Sequence, residues 1–180
     1  MLSRLLLVFA AFLVPAAAFG QASLSAGVAF PVAPEAFGEA YSPGFSTSGS
    51  FQLPFPDLPI VPRLAAGFSA FQYDSDLVAG GGVGDGGNLS LIFVGFDAHL
   101  MRPRGLIKPY IAPFLGFTIL SFEGFSEGET GASIGGAGGI AVRLPPGPHV
   151  FIEARLVHAF LDGGDLTWMP VHAGIAFDLE

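Results

Sequence analysis

Apolar side chains recur at every second position through most of this chain of 180 residues. In Leu89–Met101, every even-numbered residue from 92 to 100 is apolar, whereas Asp97 and His99 lie between them. Residues that alternate in this way lie on opposite faces of a β-strand. We predict strands in eight such segments, namely Ser23–Pro31, Phe45–Leu53, Leu64–Tyr73, Leu89–Met101, Tyr110–Phe122, Ala132–Leu144, Val150–Phe160 and His172–Leu179.

The composition is more apolar than the surface of a soluble protein requires. Hydrophobic residues make up 51% and charged residues 12% of the chain, and the mean hydropathy is +0.61. Beyond the N-terminal segment, no apolar run is long enough for a transmembrane helix. Because hydrocarbon offers no partner to a free N–H or C=O group, the remaining way to cross a bilayer is a closed barrel. The sequence therefore predicts an all-β fold, an eight-stranded antiparallel up-and-down transmembrane β-barrel.

A soluble eight-stranded barrel, like that of lipocalin-like carriers, is the alternative fold. Such a barrel also alternates, but its apolar face points inward and its outside is charged. In this chain the less apolar face consists mostly of Gly, Ser, Ala and Thr, which would leave an outer surface with little charge. The alternation favours the membrane barrel and keeps a soluble periplasmic carrier as the alternative.

The N-terminus has the three parts of a secretory signal peptide. Arg4 precedes an apolar centre, Leu5–Val14, and small residues follow at 16–18 and at Gly20. This order is typical of a cleaved leader rather than of a membrane anchor, because the apolar stretch is short for a span. We predict a signal peptide over residues 1–20, with cleavage after residue 22 as the later alternative, and a barrel domain over residues 21–180.

The predicted connections are of two alternating kinds. Compact, proline-rich connections occur at Pro54–Pro62, Arg102–Lys108 and Pro145–His149, and the basic residues beside or within them are Arg63, Arg102, Arg104, Lys108 and Arg143. Glycine-rich or acidic connections occur at Val32–Gly44, Asp74–Asn88, Glu123–Gly131 and Asp162–Trp168. Short periplasmic turns alternating with longer external loops are the layout of an outer-membrane barrel, and an even strand number places both termini in the periplasm.

Aromatic residues near the ends of the predicted strands suggest two girdles at the membrane interfaces. We expect Tyr41, Tyr73, Phe122, Phe125 and Trp168 at the loop ends, and Phe55 and Tyr110 at the turn ends.

Composition and spacing exclude several kinds of function. A formal charge of −8 argues against nucleic acid as a partner, and the absence of cysteine excludes disulfides and thiolate chemistry. None of His99, His149, His158 and His172 has the spacing of metal ligands. The glycine run at 80–87 lacks the lysine and the helix of a phosphate-binding loop. We predict no metal site and no cofactor.

The last two predicted strands carry a family resemblance. Residues 151–156 read Phe-Ile-Glu-Ala-Arg-Leu, and the chain closes with Gly174, Phe177 and Leu179 in the order glycine, aromatic, apolar. With the leader and the eight strands, these segments resemble the small outer-membrane β-barrel family, the eight-stranded OmpA/OmpX/OmpW-like group. Leu156 stands where that family usually has an aromatic residue, and the chain ends Asp-Leu-Glu rather than on an aromatic residue.

The resemblance implies an assembly signal and two partners. Gly174, Phe177 and Leu179 match the C-terminal β-signal by which such barrels are recognised, so the barrel-assembly machinery and outer-membrane lipid are the expected partners. The sequence names no extracellular partner for the acidic loops.

The segment Arg155–His158 invites a comparison with outer-membrane lipid A deacylases. Those enzymes place a catalytic serine two residues after the histidine, whereas this chain has Phe160 there. A serine–histidine hydrolase needs both partners within hydrogen-bond reach. We therefore predict no catalytic residue and no enzymatic activity.

The alternation also places a set of charged residues on the lumen face of the barrel. These residues are Asp97, Arg143, Glu153, Arg155 and Asp178. Charges inside so narrow a barrel must be paired, because desolvation costs several kcal/mol per ion. We expect a network around Arg155 that fills the lumen, which fits a structural or interaction role in the cell envelope. A polar permeation path is the alternative, and it would make the protein a narrow porin-like channel for small or apolar solutes.

Overall fold

The described part of the protein contains eight strands that close into one barrel. The computed structural model describes residues 20–53, 60–74, 87–101, 105–123, 128–144 and 147–179. The strands are β1 (Gly20–Ala33), β2 (Gly44–Gln52), β3 (Val61–Phe71), β4 (Leu89–Met101), β5 (Ile107–Phe122), β6 (Glu129–Arg143), β7 (His149–Phe160) and β8 (Leu166–Leu179). Each strand pairs antiparallel with the next, and β8 pairs with β1. The predicted eight-stranded antiparallel barrel is confirmed.

The first and last strands close the barrel along nearly their whole length. Their register runs from Gly20 opposite Leu179 to Ala33 opposite Thr167. β1 therefore begins at the last residue of the predicted signal peptide. Cleavage before Gln21 would leave the rest of β1 intact, whereas cleavage after residue 22 would remove three of its residues, 20 to 22. The leader itself, residues 1–19, lies outside the described residues.

Several strands extend beyond their predicted ends, and prolines explain the largest differences. β5 begins at Ile107 rather than Tyr110, and β8 at Leu166 rather than His172. Pro113 pairs with Gly136 of β6, but the ladder to β4 skips it. Pro170 likewise pairs with β1 while the ladder to β7 skips it. Proline is thus tolerated here inside a strand at places where its missing N–H interrupts one ladder only.

A short helix, α1 (Glu35–Ala40), lies in the first predicted loop. Sequence alternation missed it because six residues are too few to show a helical period. Its Phe37 is buried and stacks edge-on against Phe71, with ring centroids 5.2 Å apart. The helix thereby places an aromatic side chain over the loop end of the barrel. Among the described residues, no helix is long and apolar enough to cross a membrane.

The two faces of the barrel wall differ as the alternation predicts. Large apolar side chains point outward on every strand, and several of them, such as Leu115 and Ile152, are more than 60% exposed. The inward positions hold the main cluster of buried apolar residues together with polar and charged side chains. The core of this protein is therefore the filled lumen, and its outer wall is apolar.

Candidate functional site: the barrel lumen

An ionic layer crosses the lumen and is centred on Asp97. The Arg63 Nη2 donates to Asp97 Oδ2 at 2.6 Å and the Arg63 Nε donates to the same oxygen at 2.8 Å. Arg155 donates from Nη1 to Oδ1 and from Nη2 to Oδ2, both at 2.8 Å. Asp97 is 2% exposed, so these bonds form out of contact with bulk water. Charge-assisted bonds of this bidentate kind are among the strongest in proteins.

Glu153 completes the ionic layer from the opposite wall. Its Oε2 accepts from Arg63 Nη2 at 3.1 Å and from the Tyr110 hydroxyl at 2.9 Å. Its Oε1 accepts from Arg155 Nη2 at 3.1 Å. Two guanidinium groups and two carboxylates thus balance, and the layer of Arg63, Asp97, Tyr110, Glu153 and Arg155 ties β3, β4, β5 and β7 together. Such balance is what burial of four charges demands.

Strand register brings the ionic layer together. Arg63 and Asp97 are directly opposite each other on β3 and β4. Glu153 and Arg155 are two residues apart on β7 and so share its inward face. The Arg155 guanidinium also lies 5.4 Å from the Phe93 ring centroid and 5.3 Å from that of Phe114. These aromatic faces favour a cation at that position.

The structure brings together three of the five predicted lumen charges, Asp97, Glu153 and Arg155. Arg143 does not join them, because it ends β6 and is exposed to solvent at the rim. The side chain of Asp178 lies outside the described part of the protein. The prediction for Arg143 was wrong because the position shares the inward face but lies too far along the strand to reach the layer.

Sequence reasoning missed two members of the ionic layer. Arg63 was assigned to the flank of a turn and Tyr110 to an interfacial girdle, but both are buried inside the barrel. Each lies at an inward position of its strand, in phase with Ala65 and Ala112. Extending the third predicted strand by one residue to Arg63, and reading Tyr110 in phase with Ala112 within the fifth, would have found them.

An apolar plug fills the lumen on the loop side of the ionic layer. It consists of Phe71, Leu89, Leu91, Phe93, Phe114, Leu120, Val157 and Trp168, all 5% exposed or less. Trp168 was predicted at the loop-side girdle, and that prediction was wrong. β8 begins at Leu166, and Trp168 shares the inward face of His172, so its ring is fully buried. The plug and the helix above it leave this half of the barrel packed.

A chain of hydroxyl groups and one imidazole lines the wall formed by β1, β2, β3 and β8. His172 Nε2 lies 2.9 Å from Ser46 Oγ, and its Nδ1 lies 3.2 Å from Ser48 Oγ. Ser46 also bonds Ser69 at 2.9 Å, and Ser48 bonds Ser25 at 2.7 Å. Buried polar groups on this wall therefore satisfy one another across strands, as buried polar groups must.

A cavity of about 280 Å³, which we call the vestibule, occupies the lumen on the side of the two termini. Its mouth carries a hydrogen-bond chain in which Gln52 Nε2 donates to Gln21 Oε1 at 2.6 Å and Gln21 Nε2 lies 3.0 Å from His149 Nδ1. His149 was predicted in a turn, but it is the first residue of β7. Deeper inside, His99 stacks edge-on against Tyr110 at 4.4 Å between ring centroids.

A second polar cluster lies outside the barrel at the loop-side rim. His158 Nδ1 lies 2.8 Å from Thr167 Oγ1, and His158 Nε2 lies 3.7 Å from a carboxylate oxygen of Asp165. A hydroxyl, an imidazole and a carboxylate in this order are the parts of a hydrolase triad. We interpret the cluster as a cross-strand bond between the paired residues His158 and Thr167.

The predicted assembly-signal residues lie at the closing seam. Gly174 is opposite Phe151, and a Cβ there would lie 2.5 Å from the Phe151 ring. Phe177 pairs with Ala22 and is 46% exposed on the outer wall. Leu179 pairs with Gly20, and its side chain lies outside the described part. Their role in recognition stays a prediction.

Three solved structures have this fold at low sequence identity. Neisserial surface protein A gives a TM-score of 0.62 at 16% identity, over 88% of this chain and 95% of that chain. The Yersinia pestis outer membrane protein Ail, in a phospholipid bilayer nanodisc, gives 0.55 at 17% identity, over 88% and 99%. The N-terminal β-barrel domain of Pseudomonas aeruginosa OprF gives 0.51 at 15% identity, over 87% and 97%.

These comparisons establish the fold class. The protein has the fold of the small eight-stranded outer-membrane β-barrels, as its sequence predicts. No protein-family model and no curated protein matches the sequence.

Proposed function

We propose that this protein is an exported outer-membrane β-barrel with a closed lumen and a structural or interaction role in the cell envelope. The observation that carries the proposal is the combination of an apolar outer wall with a lumen filled by the apolar plug and the neutral ionic layer. A barrel built in this way is stable in a lipid bilayer and offers no continuous polar path through its centre.

The outer wall supports residence in a membrane over a soluble carrier. Leu24, Ile111 and Ile152 are each more than 60% exposed, and they lie on three different strands around the barrel. An aqueous surface with so many large apolar side chains would associate, whereas a bilayer covers them. A soluble carrier would instead place such side chains around an internal ligand.

Strand number supports the orientation of the protein. With eight strands, β1 begins and β8 ends at the same side, together with the connections that follow β2, β4 and β6. We place this side in the periplasm, since short turns face the periplasm in such barrels. The signal peptide and the barrel-assembly machinery belong to this proposal as the route of export and insertion.

The opposite side is the interaction face of the proposal. It carries α1 and the acidic residues Glu35, Glu39, Asp74, Glu123, Glu129, Asp162 and Asp165. A face with this charge favours partners that present basic groups. The packed plug beneath it means that binding there needs no passage through the lumen.

The substitution Arg155→Ala tests the closed lumen against the narrow channel. It would leave Asp97 and Glu153 with one guanidinium, so we expect the free energy of unfolding to fall by about 3–5 kcal/mol, with no new conductance. Unfolding by urea in lipid vesicles measures the first quantity, and planar-bilayer recording measures the second. Arg143→Ala is the matched control, because Arg143 is exposed at the rim, and we expect a change within about 0.5 kcal/mol.

The opposite pattern of results would favour the narrow porin-like channel as the function. A folded Arg155→Ala protein of unchanged stability with raised single-channel conductance would mean that the layer gates a path. Recovery of the unsubstituted protein in the soluble periplasmic fraction would remove the membrane assignment altogether.

A further inference from the structure

The described walls of the vestibule carry basic side chains. Its lining includes Arg63, His99, Lys108 and His149, together with Gln21 and Gln52, and no Asp or Glu of the described residues belongs to it. Most acidic residues of the chain lie elsewhere, in the connections on the opposite side or in the ionic layer. Among the residues whose side chains the structure describes, the lining of the vestibule is therefore basic, in a protein of net charge −8.

Several histidine ring nitrogens of the vestibule have no partner among the described residues. His99 is 4% exposed, and neither of its ring nitrogens has a hydrogen-bond partner among the described residues. The Nε2 of His149 is also buried and without a partner there. A buried polar atom left unpaired destabilises the fold, so a ligand that forms hydrogen bonds with these nitrogens would be stabilised by them.

Glu153, which accepts bonds from the lining residues Arg63 and Tyr110, does not neutralise the compartment. Glu153 already accepts bonds from Arg63, Arg155 and Tyr110, and the two charges of each sign in the ionic layer cancel. Lys108 stands outside this balance, since it forms no ion pair within the described part of the chain. The ammonium group of Lys108 thus adds a positive charge beside the unpaired imidazoles.

We propose that the vestibule binds a phosphate-type oxyanion, either free or as a phospholipid headgroup. Its free side-chain groups are mainly N–H donors, which suit oxyanions and repel metal cations. Its volume of about 280 Å³ holds such a group with space for a small substituent. Its mouth lies at the membrane surface on the side of the termini, where both sources are within reach. The vestibule opens at one end only, because the ionic layer and the apolar plug close its inner end.

Histidine NMR tests the proposal on the folded protein in uncharged detergent. We expect inorganic phosphate to shift the ring resonances of His99 and His149 saturably. The resonances of His158, which lies outside the barrel at the loop-side rim, should not shift. Lys108→Gln removes one charged donor, and we expect it to weaken the phosphate affinity by about tenfold. Arg143→Gln removes the same charge at the same rim, outside the vestibule lining, and we expect unchanged affinity.

The source of the anion is settled by a second titration with a soluble short-chain phosphatidic acid. Saturation by inorganic phosphate identifies a free ion as sufficient, whereas saturation by the lipid alone identifies the headgroup. Non-saturating shifts with both ligands would overturn the proposal. Equal weakening by Lys108→Gln and Arg143→Gln, or a parallel shift of His158, would also overturn it, because each indicates a general effect of salt. Heat-dependent gel migration confirms that both variants are folded.

Discussion

Large inward rings in this barrel lie opposite glycine. The direct cross-strand pairs are Gly67 with Phe93, Phe114 with Gly135, Tyr110 with Gly139, and Phe151 with Gly174. In a lumen only wide enough for side chains, the missing Cβ gives the rings of Phe93, Tyr110 and Phe151 their space. Glycine is here a packing residue, and the ionic layer depends on it because Tyr110 reaches Glu153 across Gly139.

Substitution of one of two adjacent glycines tests this packing. A Cβ on Gly139 would lie 2.6 Å from the Tyr110 ring, whereas a Cβ on the neighbouring Gly138 would meet nothing closer than 4.0 Å. We expect Gly139→Ala to lower the free energy of unfolding by about 1–3 kcal/mol. Gly138→Ala is the matched control, and we expect it to be neutral or to stabilise by about 0.4–1 kcal/mol. Equal effects in urea unfolding would mean that the rings do not need these glycines.

At the scale of the strand, the alternation of apolar side chains predicted most of the fold, but prolines obscured where some strands begin. Period two was enough to predict eight strands, their inward and outward faces, and the lumen positions of Asp97, Glu153 and Arg155. The ends of β5 and β8 were placed too far along the chain, because proline usually marks a strand end. The late start of β8 left Trp168 outside its predicted strand. Tyr110 was the first residue of the predicted fifth strand and was assigned to a girdle because it lies near the turn. The partners of each charge were beyond reach, because contacts between β3, β4 and β7 depend on closure of the whole barrel.

The last strand carries a prediction about assembly. Phe177→Ala removes the aromatic residue of the predicted β-signal, and we expect less folded protein in the outer membrane. Ile175→Ala is the matched control, since Ile175 is 41% exposed on the same outer face against 46% for Phe177. We expect Ile175→Ala to reach nearly normal levels, as measured by heat-dependent gel migration of the membrane fraction. Equal losses would assign the effect to lipid contact and not to recognition.

The whole molecule has an apolar outer wall and a packed lumen. The fluorescence of its one tryptophan can show on which of the two sides that residue lies. Trp168 is 0% exposed within the plug, so we expect brominated acyl chains to quench its fluorescence weakly in vesicles. A variant that combines Trp168→Phe with Phe117→Trp moves the probe to a position that is 64% exposed on the outer wall. We expect strong quenching of this variant. Strong quenching of the original protein would place Trp168 at the lipid and contradict the plug.

The ionic layer has a consequence for biogenesis. Arg63 and Asp97 meet across neighbouring strands, and Glu153 and Arg155 meet within one strand. Each half is therefore electrically neutral before the halves come together. A growing sheet that enters the bilayer hairpin by hairpin never has to bring an uncompensated charge from this layer into hydrocarbon. Curvature of the sheet into a barrel then brings two neutral pairs together, so closure does not require the burial of an uncompensated charge from this layer.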